Sequence, residues 1–215
     1  MTEMMRSMQM QQRMQYEQNA AMALVSKHPS KFDGKDILEY ESWAHSYDTL
    51  VEKPFSSPQD RLFYLGQYTD GDAKQSIKSY LVEATESAYR EARRVLKERY
   101  GDPFRAAMER KNRLLAWPKV ASYDAVAMRK FADFVNQSFN AMSTNSYLTT
   151  LDAPDFNTQI IRKLPPKVEE KWSRVAHDFR LRNLVFPPFE VFTTFVLKVA
   201  NEATDPVVGW RKPEY

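Results

Sequence analysis

Apolar residues in this chain return at steps of three and four in one segment after another, and each run is cut off by proline or glycine. After Asp36 they fall at Ile37, Tyr40, Ala44, Tyr47 and Val51, a single stripe on a helix face. The same spacing puts Leu62, Leu65 and Tyr68 on a second helix, opened by Ser57 as N-cap with Pro58 at the first helical position. After the interruption Asp70-Gly71-Asp72, the residues Ala73, Ile77, Tyr80 and Leu81 form a third stripe. Tyr89, Ala92, Leu96 and Tyr100 form a fourth, stopped at Gly101-Asp102-Pro103 by a glycine cap followed by proline. That stop is the best candidate for a domain boundary.

The pattern then resumes. Phe104, Ala107, Met108, Lys111 and Leu115 share a face up to Trp117-Pro118, and Ser122 opens a longer helix bearing Ala127, Phe131, Phe134, Val135 and Met142. Thr144 to Ala153 reads as a connector. Pro154 starts a helix with Asn157, Ile160, Ile161 and Leu164 on one side, and Pro165-Pro166 is a hard stop. Val168, Trp172, Val175 and Phe179 make another stripe, and after Phe186-Pro187-Pro188 the last helix carries Phe189, Phe192, Val196, Val199 and Ala203. No alternating strand pattern of useful length is present, and 5 glycines are too few for a turn-rich β fold. The expected fold is all-α, with about ten helices.

Residues Met1 to Ser26 are rich in Met, Gln and Ala and favour helix by propensity, but their apolar spacing is irregular, which fits a loosely packed terminal helix better than a coiled coil. His28-Pro29-Ser30 closes that segment. The stretch KFDGKDILEY leads from there into the first stripe. Gly34 allows the sharp turn by which Phe32 folds back on the helix, and Asp36 with Glu39 approximates a capping box. A lone FDG is too short to specify phosphate or metal binding.

Composition narrows the function classes. A hydrophobic share of 43% is globular. The absence of cysteine excludes disulfides, thiolate zinc sites and cysteine nucleophiles, and fits a cytoplasmic protein. No apolar run approaches the roughly 20 residues of a membrane span. The start MTEMM has neither a signal-peptide core nor a myristoylation glycine. A net charge of +3 is too mild for a dedicated nucleic-acid binder, so any RNA contact is local.

No catalytic motif is present. His28, His45 and His177 stand apart without a second histidine at ligand spacing, and the chain has neither a GxSxG elbow nor an Asp-Ser/Thr-Gly triplet. It is expected not to be an enzyme and to need no cofactor or metal. Trp43, Trp117 and Trp172 lie on or at the end of apolar stripes, where packing explains them better than base stacking. Arg105, Arg110, Lys111 and Arg113 read as a solvated helix face. A denser basic run, Arg162, Lys163, Lys167, Lys171, Arg174, Arg180 and Arg182, is interspersed with Glu169, Glu170 and Asp178 and suits weak contact with phosphates without sequence readout.

Five blocks in order give the chain a resemblance to Gag capsid proteins of LTR retrotransposons, closest to the BEL/Pao type. They are KFDG with the helix of Tyr40 and Trp43, RLFYLGQYTDGDAKQSI from Arg61 to Ile77, AYREARRVLKERYGDP from Ala88 to Pro103, LLAWP from Leu114 to Pro118, and IIRKLPPKVEEKW from Ile160 to Trp172. The resemblance implies a two-domain capsid architecture like that of gypsy-type and Arc-like Gag proteins. Residues 1–29 would be an N-terminal helix, 30–101 a capsid N-terminal domain, 102–205 a capsid C-terminal domain and 206–215 a tail.

In such proteins the first domains form pentamer and hexamer rings and the second domains pair across two-fold axes, closing a shell around RNA. The chain is therefore expected to be its own main partner in cytoplasmic virus-like particles, to hold RNA nonspecifically, to have no membrane partner, and to meet other Gag-polyprotein products. By its order in the second domain, the helix from Pro154 to Leu164 resembles the two-fold helix, with Phe156, Gln159, Ile160 and Lys163 as candidate contacts and Phe156 nearer the edge as the apolar anchor. Candidate nonspecific RNA contacts are Lys163, Lys167, Lys171 and Arg174. The chain departs from many Gag proteins in lacking a Cys-His zinc knuckle. A second role consistent with the resemblance is a domesticated adaptor that binds partner proteins without forming particles.

Overall fold

A computed structural model describes residues 2–211 of the chain; Met1 and the last four residues of the expected tail lie outside them. The described residues form ten α-helices joined by short 3-10 and π turns, and no strand is formed. The one trace of β pairing is an isolated parallel bridge between Phe32 and Thr69. The fold is all-α, as the apolar spacing requires. The chain divides into two compact units, one ending at Asp102 and the other beginning at Pro103.

The first unit holds α1 (Thr2–Ser26), α2 (Tyr40–Tyr47), α3 (Pro58–Gln67), α4 (Gly71–Ile77) and α5 (Glu86–Tyr100). Its core gathers Phe32, Tyr40, Trp43, Tyr47, Val51, Leu62, Leu65, Ile77, Tyr89 and Leu96. Each such large side chain contributes roughly 1.5–3 kcal/mol by leaving water. α1 is anchored through its second half: Ala20 and Ala21 pack on this core, and Glu17 Oε1 accepts from the Ser56 hydroxyl at 2.6 Å and the Ser56 amide at 3.2 Å. Its Met5, Met8, Met10, Met14 and Met22 are exposed.

The KFDG turn docks against the later DGD loop. Phe32 exchanges backbone hydrogen bonds with Tyr68 and Asp70, at 3.0 and 2.9 Å, and the Ala73 amide reaches Asp33 O at 3.2 Å. Phe32 is 1% exposed, its ring 5.3 Å from that of Trp43 and 5.1 Å from that of Tyr100. Gly34 takes φ +86°, and a Cβ there would meet the Tyr100 hydroxyl at 2.7 Å. Both the turn and the close approach therefore demand glycine. Asp36 caps the next turn by accepting from the Leu38 amide at 2.9 Å. Ser57 caps α3, with Pro58 in its first turn.

Two local expectations change here. The opening stripe is not one continuous helix: it starts as a 3-10 turn at Ile37–Glu39 and finishes as a π turn at Asp48–Glu52. Gly101 ends α5 at φ −98°, outside the left-handed region. Its glycine is required because a Cβ would meet the Tyr40 ring at 2.6 Å.

The second unit holds α6 (Pro103–Leu115), α7 (Ala125–Met142), α8 (Pro154–Ile161), α9 (Pro166–Asn183) and α10 (Phe189–Ala203). α7 and α10 carry the largest buried faces, with Met128, Phe131, Ala132 and Val135 on one and Phe189, Phe192, Val196, Val199 and Ala203 on the other. Helix α7 begins at Ala125, later than expected. Tyr123 stands at φ +69°, which breaks the helix, and Asp124 becomes the cap by accepting from the Ala127 amide at 2.9 Å.

The stretch read as a connector is a 3-10 helix, Ser146–Asp152, that buries Leu148 and Leu151. Pro165-Pro166 ends one helix and also starts the next, since proline suits a first turn. On α6 the covered residues are Ala107 and Leu114; Phe104 is 52% exposed and Met108 41%, with Phe104 resting edge-on against Tyr147. The second unit covers a narrower strip of α6 than its apolar spacing suggests.

Candidate functional site

The basic run on α8 and α9 wraps a buried stripe. Along α9, Val168, Trp172 and Ala176 face inward, and cations flank them on both sides. Lys167, Lys171 and Arg174 follow one another at i, i+4 and i+7 on one flank, while Glu169, Ser173, His177 and Arg180 occupy the other.

Lys167 and Lys171 share a cleft of about 310 Å³ with Tyr123, Pro165, Pro166 and Trp210. Trp210 is brought there by a turn after α10. Asp205 Oδ1 accepts from the amides of Val207 and Val208, each at 2.8 Å, and the Trp210 amide returns to Ala203 O at 3.0 Å. Those amides hold the Asp205 carboxyl below its ordinary pKa. Cations beside half-buried aromatic rings are the elements of a nonspecific single-strand surface.

The four candidate RNA contacts are not equally available. Lys171 Nζ pairs with Glu202 at 3.1 Å, and Arg174 pairs with Glu170 on its own helix. Lys167 is exposed, and Lys163 is half-buried with its carbonyl accepting from the Val120 amide at 2.7 Å. Exposed pairs of this kind hold a side chain weakly, so neither Lys171 nor Arg174 is locked away from a stronger anion.

The candidate two-fold set divides. Gln159 is exposed and Lys163 half-exposed, but Ile160 is fully buried and Phe156 is 3% exposed. The expected edge position of Phe156 is corrected: it belongs to the core. It lies only about 40° round the helix from Ile160, so the helices that cover one cover the other. Its ring is 6.2 Å from that of Phe189 and is capped by Lys111 Nζ at 6.0 Å. The outward face of α8 is polar and carries no apolar anchor, with Asp155, Thr158, Gln159 and Arg162 exposed.

Other sequence-level candidates find plain structural roles. Trp43 and Trp172 are buried, and Trp117 stacks on Phe134 at 5.3 Å. His45 and His177 are exposed, and His28 lies with its ring parallel to that of Tyr68 at 6.2 Å. Among the described residues no group of three or more His, Asp or Glu side chains is placed to hold a metal ion. No helix there is long and apolar enough to cross a membrane.

Sequence reasoning missed a polar network in the first unit. Arg93 Nη2 donates to Asp48 Oδ1 at 2.6 Å, its guanidinium lies 5.0 Å from the centre of the Tyr47 ring, and Nη1 sits 3.4 Å from Glu52 Oε2 without hydrogen-bonding geometry. Tyr89 donates to Glu52 at 2.9 Å, and Tyr47 donates to Arg61 O at 2.7 Å. Burial pushes both phenols well above the ordinary tyrosine pKa. Burial also opposes the Arg93 charge, yet Tyr89, Asp48 and Glu52 outweigh it and raise the Arg93 pKa. The available signal was a pair of i, i+4 spacings, Asp48 with Glu52 and Tyr89 with Arg93.

No curated protein and no solved structure matches the chain. Residues 32–180, spanning most of both units and more than half the sequence, match a family described as "Protein of unknown function (DUF1759)". The matched span runs from the buried Phe32 of the KFDG turn to Arg180 near the end of α9. The chain belongs to the DUF1759 family, a domain found in retrotransposon Gag and Gag-pol-like proteins.

Proposed function

We propose that this chain is the structural capsid protein of a BEL/Pao-like retrotransposon, assembling with copies of itself into cytoplasmic particles that enclose RNA. The observation that carries the reading is the conjunction of a Gag-associated family with an all-helical chain in two compact units. Two units allow two kinds of self-contact, and a closed shell needs both ring-forming and pairing contacts. On this reading the first unit is the capsid N-terminal domain and the second the capsid C-terminal domain. RNA is held by phosphate contacts from Lys163, Lys167, Lys171 and Arg174, independent of sequence. Pairing through α8 would use Gln159 and Lys163 and not the buried Phe156 and Ile160.

Negative-stain microscopy and light scattering of the purified chain, with and without RNA across a range of salt, test the proposal. Closed particles are the expected result. Monomers at every concentration and ionic strength would overturn it and favour the adaptor role. RNA binding should fall steeply with salt, and a preference for one RNA that survives high salt would contradict nonspecific packaging.

A further inference from the structure

On the flank of α9 opposite Lys167 and Lys171, a second cleft of about 340 Å³ opens between α8 and α9. Its floor is apolar: Ile161, Trp172 and Ala176 are buried there, and Phe186 is half-buried. Arg162, at the end of α8, and His177 and Arg180, on α9, stand around it. All three are exposed, and none makes an ion pair within the described residues. This distinguishes them from Lys171 and Arg174, which already have carboxylate partners.

The other polar groups define what fits. Thr158 and Ser173 face the cleft, but their hydroxyl hydrogens are committed to Pro154 O at 2.9 Å and Glu169 O at 3.1 Å. Recognition is therefore left to the guanidinium forks and the imidazole. A guanidinium matches a phosphate with two parallel N–H donors. Glu169 is the one carboxylate lining the cleft, and it works against an anion. An apolar floor under a cationic rim suits a nucleotide, whose base or sugar rests on carbon while its phosphate meets the arginines.

We infer that the cleft between α8 and α9 binds phosphate groups of single-stranded RNA, held by Arg162 and Arg180 with His177 beside them. The choice of RNA as the phosphate source rests on the proposed capsid function.

The test uses the purified full chain and a labelled single-stranded RNA of mixed sequence, with binding followed by fluorescence anisotropy across a salt series. Arg162→Gln with Arg180→Gln should weaken binding about tenfold and reduce the salt slope by about 1.4, two single-strand contacts at about 0.7 each. Glu169→Gln should act in the opposite direction and tighten binding roughly threefold, since it removes a like charge facing the phosphate. Lys78→Gln with Lys97→Gln, an equal loss of charge on the first unit, should change little. All are exposed positions, so thermal unfolding should stay where it is in the parent chain.

Tripolyphosphate is the second arm. If it binds and R162Q/R180Q abolishes that binding while RNA binding is untouched, the cleft takes small free phosphates and the RNA assignment is overturned. Equal losses from the two double variants, no loss from R162Q/R180Q, or poly-glutamate competing as well as RNA would overturn the phosphate site altogether. Particles that assemble but bind RNA independently of Arg162 and Arg180 would sink the cleft and leave the capsid reading standing. A chain that never assembles, yet loses tripolyphosphate binding in R162Q/R180Q, would do the reverse.

Discussion

The two units reach the same all-helical end by different chemistry. The core of the first is aromatic with polar tips: the Trp43 indole donates to Tyr68 O at 3.0 Å, Tyr47 to Arg61 O, and Tyr89 to Glu52. The core of the second is built largely from phenylalanine and aliphatic residues, with Phe131, Phe156, Phe189, Phe192 and Phe195 buried together. Phenylalanine has no polar tip, so volume and shape decide its place. The first unit is thus oriented by directional bonds, and Arg93 ties the π turn of Asp48–Glu52 to α5. The second unit tolerates a polar group that nothing satisfies: Asn157 is fully buried, and neither its amide nitrogen nor its oxygen has a hydrogen-bond partner among the described residues. Damage to the first unit should therefore come from losing a bond, and damage to the second from losing volume or gaining charge.

The largest expected effect is in the second unit. Phe156→Asp removes an aromatic ring from the core and leaves a carboxylate in its place, which should cost on the order of 5 kcal/mol and unfold the unit. Hydrogen exchange resolved along the chain should show protection lost from α6 to α10. An unchanged exchange pattern, with loss of self-association alone, would show that Phe156 is an interface residue after all and would remove the volume side of the comparison.

Arg93→Met tests the bonding side. It keeps most of the stem packing against Tyr47 but leaves Asp48, Glu52 and the Tyr89 hydroxyl without their cation. Breaking a fully buried pair costs about 3–5 kcal/mol. Asp48 and Glu52 are 44% and 40% exposed, so solvent screening reduces the expected loss to roughly 2–3 kcal/mol. Denaturant unfolding measures it, and faster exchange should be confined to α2, α5 and the π turn between Asp48 and Glu52. A change under about 0.5 kcal/mol would mean that the first unit, too, is held by packing alone.

The smallest effect has the opposite sign. Asn157→Leu is close to isosteric and removes two unpaired buried groups, so it should stabilise the second unit by about 1 kcal/mol. The melting temperature would rise by a few degrees. A fall would show that Asn157 holds an internal water and that the second unit also depends on a directional bond.

Much of the fold is written in short-range pattern. Ser57-Pro58 opens α3, Asp36 caps the first turn, and the prolines at 154, 166 and 188 stand at or just before the starts of α8, α9 and α10. The KFDG turn was also legible, because Gly34 and Phe32 need only each other and the next helix to make sense. The candidate site was legible as a basic run but not as two clefts. Lys167 and Lys171 meet Trp210, more than thirty residues further along, and Arg162 meets Arg180 across two helices. No spacing rule joins such positions.

By itself, then, the sequence of this protein determined where helices start, stop and turn, because caps, prolines and periodicity act within about four residues and through the backbone's own hydrogen bonds. Only the tertiary structure decided how wide an arc of each helix is covered. Phe156 was drawn into the core by the neighbours that also bury Ile160, while Phe104, on an equally apolar stripe, was left against Tyr147 at the surface. The physical reason is that burial is a property of the surface laid against a helix, supplied by residues distant in the chain, and an apolar stripe records only that some partner is wanted.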